Sequence, residues 1–258
     1  MGVISPETLK TLVAPDTNSI IEQGKDSVVW RLKLPGGESA VGKIYRRRGW
    51  VSRFRGGAFP FRVQREYNGL CVLADSGIPC SAPLLWGQGF AAEHARFEIL
   101  VTREIPDVMN LSALTAAGMR KPSTNDLLPL FDVLRRMHQC GVYHGALWPK
   151  NIMMTTAPER ERAFHVIDLA RTIRFPSDIT GTTMARFDLL SLLYGLGRRC
   201  PEFDAETALR RYGYAPEEAR EIAEQARRYR STRHLRNRLG LTFKIRSLLA
   251  NLSAALSR

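Results

Sequence analysis

The sequence predicts an α+β fold in two lobes, a small β-rich lobe over residues 1–105 and a helical lobe over residues 106–258. Three observations carry this. Before Pro106, apolar residues alternate in short β-branched and aromatic runs broken by Gly and Pro, and after it they recur at helical spacing. The change happens once, so strands and helices are segregated rather than interleaved. A chain of 258 residues with 44% hydrophobic and 24% charged side chains also has enough apolar surface for two lobes and is too apolar for a disordered chain.

Each element has its own signal. In IIEQGKDSVVWRLKLPGGESAVGKIYR, residues 28–32 are β-rich, Pro35-Gly36-Gly37 turns the chain, and residues 40–45 return. RVQREYNGLCVLADSGIP places Leu70 and Leu73 on one face and stops at Gly77 before Pro79, which reads as a helix. RFEILVTRE, 96–104, is a strand. NDLLPLFDVLRRMHQCG is apolar at 127, 128, 130, 131, 134 and 137, an amphipathic helix stopped by Gly141. Strands at 152–155 and 163–167 flank the polar turn APERER. MARFDLLSLLYGLG is apolar on most sides and predicts a buried helix. Helical stretches at 204–212, 215–230 and 237–257 complete the chain.

Charge narrows the function. Lys and Arg exceed Asp and Glu by 13, and the excess is clustered. Seven arginines (46, 47, 48, 53, 55, 62 and 65) and no acid lie between Ile44 and Arg65; eight arginines and one lysine, again without an acid, lie from Ala226 to the end. Such blocks imply a polyanionic partner. Trp50, Phe54, Phe59 and Phe61 interleave with the first block, Leu239, Phe243 and Ile245 with the second, and this mixture suits an anionic membrane surface better than a nucleic-acid duplex. No nucleic-acid-binding motif is present. No apolar run approaches the ~20 residues that cross a bilayer, the N-terminus does not read as a secretory signal, and Pro6 spoils the myristoyl pattern. Cys71, Cys80, Cys140 and Cys200 are widely spaced and read as reduced thiols.

The chemistry sits in a series of residues read in chain order. Lys43 lies in the apolar strand AVGKIY, where a cation needs a partner or a phosphate, and Glu66 on the following helix offers that partner. In YHGALWPKNIMM, His144 precedes Asn151 by seven positions. Asp168 follows the strand residues FHVI, and Asp188, in the apolar FDLLSLL, is a buried acid placed to anchor the loop backbone. A strand Lys with a helix Glu, then a loop His and Asn and an Asp after a strand, is the kit for phosphoryl transfer from Mg-ATP. In it Asn151 and Asp168 are the metal ligands. His144, Asn151 and Asp168 are the catalytic candidates, and ATP and Mg²⁺ the cofactors. Gly24 and Ser27, in IEQGKDSVVW, are the residues available to cover phosphates, although G-x-G-x-x-G is absent. Ala146 stands where such a loop carries an Asp.

VGKIYRRRGW, REYNGLCVLADSGIPCSAPLLWG, FEILVTREIPDVMNLSAL, GVYHGALWPKNIMM and HVIDLART together resemble the Kdo/WaaP lipopolysaccharide kinases, including the InaA-type proteins, over about residues 20–196. The resemblance implies a protein-kinase-like fold with a reduced activation segment. It also implies ATP-dependent phosphorylation of a sugar hydroxyl in the lipopolysaccharide inner core, peripherally on the cytoplasmic face of a Gram-negative inner membrane. It maps Lys43, Glu66, Asn151 and Asp168 onto nucleotide and metal roles, and Thr102 to Glu104 onto an adenine-binding hinge. Ala146 for Asp, and Asp168-Leu169-Ala170 for D-F-G, depart from the pattern. Ala146 keeps a second reading open, that of a nucleotide-binding pseudokinase acting as a scaffold or regulator in envelope biogenesis or stress.

Overall fold

A computed structural model describes residues 17–24, 27–34, 36–47, 62–90, 96–116, 121–157 and 163–228. The expected helix at 237–257 and most of both basic blocks lie outside the described residues. The chain divides into two compact units, one running to Cys71 with Ser81–Ile105 added, the other Val72–Cys80 with the chain from Pro106 onward.

The first unit is built on five antiparallel strands: β1 (Ile20–Gln23), β2 (Ser27–Lys33), β3 (Ser39–Arg47), β4 (Pro83–Phe90) and β5 (Arg96–Arg103), in the spatial order β1-β2-β3-β5-β4. Alternation decides which face is buried. Val28 and Trp30 of β2, Ala40 and Ile44 of β3, and Phe97, Ile99 and Val101 of β5 form one apolar core. Two glycines look like breakers in the sequence and are packing devices in the fold. Gly42 faces Trp30 across the β2–β3 ladder, and a Cβ there would lie 2.5 Å from the indole. Gly89 pairs with Phe97, whose ring would be 2.6 Å from an added Cβ. For this reason PLLWGQGF, to which the sequence reading assigns no element, is a full strand: its glycines make room for a neighbour's ring rather than a turn. Helix α1 (Arg62–Asp75) buries Val63, Leu70 and Leu73 and closes as expected, with Gly77 at φ 64° and the Ile78 N–H donating to the Leu73 carbonyl.

The second unit is mainly helical, with two small sheets. Strands β6 (Val108–Asn110), β8 (Ile152–Thr155) and β9 (Phe164–Val166) form one in the order β6-β8-β9, and β7 (Val142–Tyr143) pairs with β10 (Ile173–Arg174) in the other. The helices are α2 (Leu111–Ala116), α3 (Thr124–Gln139), α4 (Thr183–Gly197), α5 (Ala205–Tyr212) and α6 (Pro216–Arg228). A reciprocal capping box between Ser123 and Asp126 starts α3. Leu127, Leu130, Phe131, Leu134 and Met137 bury its inner stripe. Gly141 ends it at φ 72°, where a Cβ would lie 2.3 Å from the Phe175 carbonyl oxygen, so no other residue fits. As its apolar surround predicts, α4 is buried on most sides. The strand expected at 163–167 and the helix expected at 215–230 both form, the strand two residues shorter; short β6, β7, β10 and α2 carry too few residues for a periodicity to show.

Candidate active site

Two groups of residues carry the chemistry, one in each unit. In the first, Lys43 and Glu66 form an ion pair, Nζ to Oε1 3.1 Å and to Oε2 3.3 Å. Glu66 is 2% exposed. A buried carboxylate is costly unless a cation meets it, and Lys43, on the strand β3, is that cation; it also lies 5.2 Å from the ring centroid of Tyr45, two residues along the same face. The Arg62 guanidinium sits 4.2 Å from that ring. What aims α1 so that Glu66 reaches β3 is a residue the sequence reading did not single out, Glu98. Wholly buried in β5, it accepts a hydrogen bond at 3.1 Å from the Val63 N–H, one of the first-turn donors of α1 that have no partner within the helix. Its sequence signal is an acid inside the otherwise apolar FEIL, which simple alternation assigns to solvent.

The other nucleotide-binding candidates of this unit are engaged in structure. Between β1 and β2 the Gly24 N–H donates to the Ser27 carbonyl at 2.8 Å, so this pair joins the facing ends of the two strands; residues 25–26 lie outside the described residues. Thr102 is buried at the end of β5. The Glu104 N–H donates to the Ser39 carbonyl and its Oε1 accepts from Arg31 Nε at 2.6 Å.

In the second unit the stretch 144–151 is held from below by Asp188. Its two carboxylate oxygens accept from the His144 N–H at 2.7 Å and the Gly145 N–H at 3.0 Å. This is the anchoring its place in an apolar helix suggested. Oδ2 also faces His138 Nε2 at 3.4 Å, and His138 Nδ1 lies 2.7 Å from the Tyr212 hydroxyl. Because a carboxylate only accepts, His138 carries its proton on Nε2 and the Tyr212 hydroxyl donates to Nδ1. Burial first, then the Tyr214, Asp178 and Asp188 charges, push the Tyr212 pKa far above the usual phenol value, which keeps it the donor.

His144 is wholly buried and both ring nitrogens are engaged: Nε2 lies 3.0 Å from the Ile167 carbonyl, and Nδ1 receives the Ala146 N–H at 3.3 Å. The Ile167 N–H in turn donates to the Asn151 carbonyl at 3.1 Å. His144 therefore staples the loop to the segment leading into Asp168. Asn151 is clamped as well: its Nδ2 donates to the Ala146 carbonyl at 2.8 Å, leaving Oδ1 as a hard oxygen donor. Asp168, two residues beyond β9, is one of two non-glycine residues at positive φ among those described, at 60°. Asp tolerates the left-handed region, but at a cost that the surrounding bonds must meet, and such residues gather at functional sites. An amide oxygen and a carboxylate are what Mg²⁺ takes from a protein when nucleotide phosphates and water supply its other ligands, so Asn151 and Asp168 fit the ion. No cluster of three His, Cys, Asp or Glu is present among the described residues, which excludes no such two-ligand site.

Two further residues are set by close contact. Gly145, at φ 74°, would put a Cβ 2.6 Å from the Arg171 carbonyl, and Gly195 of α4 lets Pro149 approach to 2.5 Å of where its Cβ would be. Trp148 meets Tyr194 of α4 edge to face, ring centroids 6.5 Å apart.

With this geometry in hand, the likenesses are specific. The model of the lipopolysaccharide kinase (Kdo/WaaP) family matches residues 18–186. Among solved structures, WaaP in complex with acyl carrier protein is similar at TM-score 0.56 and 15% identity, over 81% of this chain and 88% of that one. The Rio2 kinase from Chaetomium thermophilum is similar at TM-score 0.50 and 17% identity, over 81% and 72%. At these identities the structural likeness speaks for the fold alone, a protein-kinase-like α+β fold. No curated protein sequence matches the chain.

Proposed function

This chain belongs to the lipopolysaccharide kinase (Kdo/WaaP) family, a kinase family, and we propose that it phosphorylates a sugar hydroxyl of the lipopolysaccharide inner core, or of a related envelope glycolipid, from Mg-ATP at the cytoplasmic face of the inner membrane. The observation that carries this is the loop around Ala146. No carboxylate stands at 146, yet the backbone there is pinned on both sides, the Ala146 carbonyl accepting from Asn151 Nδ2 and the Ala146 N–H donating to His144 Nδ1.

Phosphoryl transfer rests on positioning and charge neutralisation far more than on covalent help from the protein. Lys43, oriented by Glu66, receives nucleotide phosphate oxygens. Asn151 Oδ1 and the Asp168 carboxylate would hold Mg²⁺, which would neutralise the charge that develops on the transferring phosphate. The acceptor hydroxyl oxygen bonds to the γ-phosphorus as the bond to ADP breaks. With a methyl group at 146 no side chain there takes the hydroxyl proton. His144 has no ring nitrogen to spare, so we assign it to positioning, and the proton passes to a phosphate oxygen or to water. Loss of a general base costs about 10²–10⁴-fold, a reduction that leaves slow transfer in place.

Ala146 also supports the pseudokinase reading, in which Mg-ATP binds and no transfer follows. Incubation with ATP, Mg²⁺ and purified core lipopolysaccharide, with mass detection of added phosphate and Asp168→Ala as control, separates the two. Added phosphate in the wild type alone supports the kinase. Nucleotide binding without it, in the wild type and in Ala146→Asp, gives the pseudokinase; no nucleotide binding at all removes both.

A further inference from the structure

Resting on the glycolipid-kinase reading, we propose that the cavity between the end of α4, the start of α5 and the end of α6 is the seat of the acceptor, an anionic oligosaccharide whose sugars carry carboxylate or phosphate groups. The cavity measures about 700 Å³ and is walled by Tyr194 and Arg198, by Phe203, and by Arg227. That volume lies within the usual range for small-molecule sites.

Charge decides the class of ligand. Two acids also line the cavity, and both are committed. The Asp204 carboxylate caps α5, accepting from the Glu206 and Thr207 N–H groups and the Thr207 hydroxyl, bonds that together hold its pKa below the usual carboxylate value. Glu206 faces Arg220 at 3.8 Å. Among the described residues no carboxylate pairs with Arg198 or Arg227; with Arg220 set against Glu206, these two arginines against the ionised Asp204 leave one positive charge. Arg198 is the C-cap residue of α4 and its backbone N–H donates to the Leu196 carbonyl, but it is the neighbouring Arg199 whose side chain meets the helix end, its Nη1 donating to the Gly195 carbonyl at 3.2 Å. Instead the Arg198 guanidinium lies 5.7 Å from the Tyr194 ring centroid and its Nη1 donates to the Tyr194 hydroxyl at 3.1 Å. A guanidinium fixed beforehand in this way loses less freedom when its remaining donors grip a carboxylate or phosphate as a fork.

Position ties the seat to the chemistry. Tyr194 carries Arg198 on one contact and Trp148 on another, and Trp148 stands two residues after Ala146 in the same loop as Asn151. A sugar lying against Tyr194 and Phe203, its acidic group in the Arg198 fork, is one ring contact, Tyr194 to Trp148, from the loop that carries Asn151.

The test is isothermal titration of the full chain with deacylated, phosphorylated inner-core oligosaccharide, with the same oligosaccharide dephosphorylated and carboxyl-reduced, and with inorganic phosphate. The wild type should bind the anionic oligosaccharide about tenfold or more above the neutral one, and above phosphate alone. Arg198→Ala and Arg227→Ala should each weaken it about tenfold, as loss of a charged hydrogen-bond pair does. Arg198→Lys, which keeps the charge and loses the fork, should recover only part. Equal affinity for the two oligosaccharides, no binding of either, or an Arg198→Ala affinity equal to that of the wild type overturns the seat; the last is also what the chain's own C-terminal residues filling the cavity would give. Thermal stabilisation of the wild type by Mg-ATP, recorded alongside, reports on the kinase reading separately: its absence sinks that reading whatever the titration shows.

Discussion

In the proposed site, nucleotide binding should turn on Lys43 and Asp168. Lys43→Ala leaves Glu66, 2% exposed, without the cation that meets it, so the variant should lose stabilisation by millimolar Mg-ATP and also melt lower than the wild type on its own. Asp168→Ala removes a carboxylate and leaves at 168 a left-handed φ that Ala adopts less readily than Asp. It should lose Mg-ATP stabilisation and melt somewhat lower than the wild type without nucleotide. Differential scanning fluorimetry of both variants checks this, and retained Mg-ATP stabilisation in Asp168→Ala would remove it from the metal site. Ala146→Asp should raise the rate of transfer by up to about 10²-fold, the low end of what a general base supplies. His144→Ala should reduce the rate modestly while costing about 1–3 kcal/mol of stability, because the Ala146 N–H and the Ile167 carbonyl both lose a buried partner.

At the scale of the element, α5 reaches the catalytic loop through a chain of donors: Tyr212 hydroxyl to His138, His138 to Asp188, and Asp188 accepting from the loop's own N–H groups. Tyr212→Phe cuts the first link and leaves buried Nδ1 of His138 unsatisfied, a loss of about 1–3 kcal/mol. Urea unfolding should show the midpoint falling with the slope unchanged; no change would mean that water or a rotated ring takes the hydroxyl's place. Of this network the sequence disclosed Asp188, because an acid in FDLLSLL has no solvent face to use, but not His138 or Tyr212, whose polar tips sit on helices that read as ordinary amphipathic stripes. The same contrast runs through the fold. Helices α3 and α4 and the ladder of β2 with β3 were legible because period and stop signals agree in them. Strand β4 was not, because Gly87 and Gly89 are spent on the side chains of Ile99 and Phe97 opposite them, a partner that local sequence cannot name. The pair Lys43–Glu66 was legible from an unpaired cation in an apolar strand; Glu98, which sets the angle of that helix, required the tertiary register of Tyr45 with Glu98.

Two predictions concern the molecule as a whole, and both follow from charge. Tyr214 is 8% exposed, and its hydroxyl has no hydrogen-bond partner among the described residues. Burial first, then the Glu218 charge, push its pKa up to about 12 from an ordinary 10.0. The folded state thus keeps a proton that the unfolded chain releases near pH 10, so this contribution is fully present below pH 10 and is lost as pH rises towards 12. Tyr212 shifts in the same direction. Chemical unfolding at pH 8 and pH 11 should show the loss, and Tyr214→Phe should shrink it while leaving neutral-pH stability equal or higher, since an unpartnered buried hydroxyl is removed. The second prediction concerns where the protein works. Its net charge is +13, and the arginines between Ile44 and Arg65 and those from Ala226 onward are not interrupted by a single acid. No helix among the described residues is long and apolar enough to cross a membrane; the expected attachment is to an anionic surface, through these charges and the apolar residues interleaved with them. Each basic residue near an anionic surface contributes about 1 kcal/mol, and either block holds enough of them to bind one. The protein should float with vesicles containing anionic phospholipid, stay in solution with purely zwitterionic ones, and be released as salt shortens the screening length towards a few ångströms. Replacing Arg48, Arg53 and Arg55 together with Gln should weaken flotation while the Mg-ATP response persists. Tight binding to duplex DNA at physiological salt, without flotation, would redirect both basic blocks to a nucleic acid and detach the charge from the glycolipid chemistry.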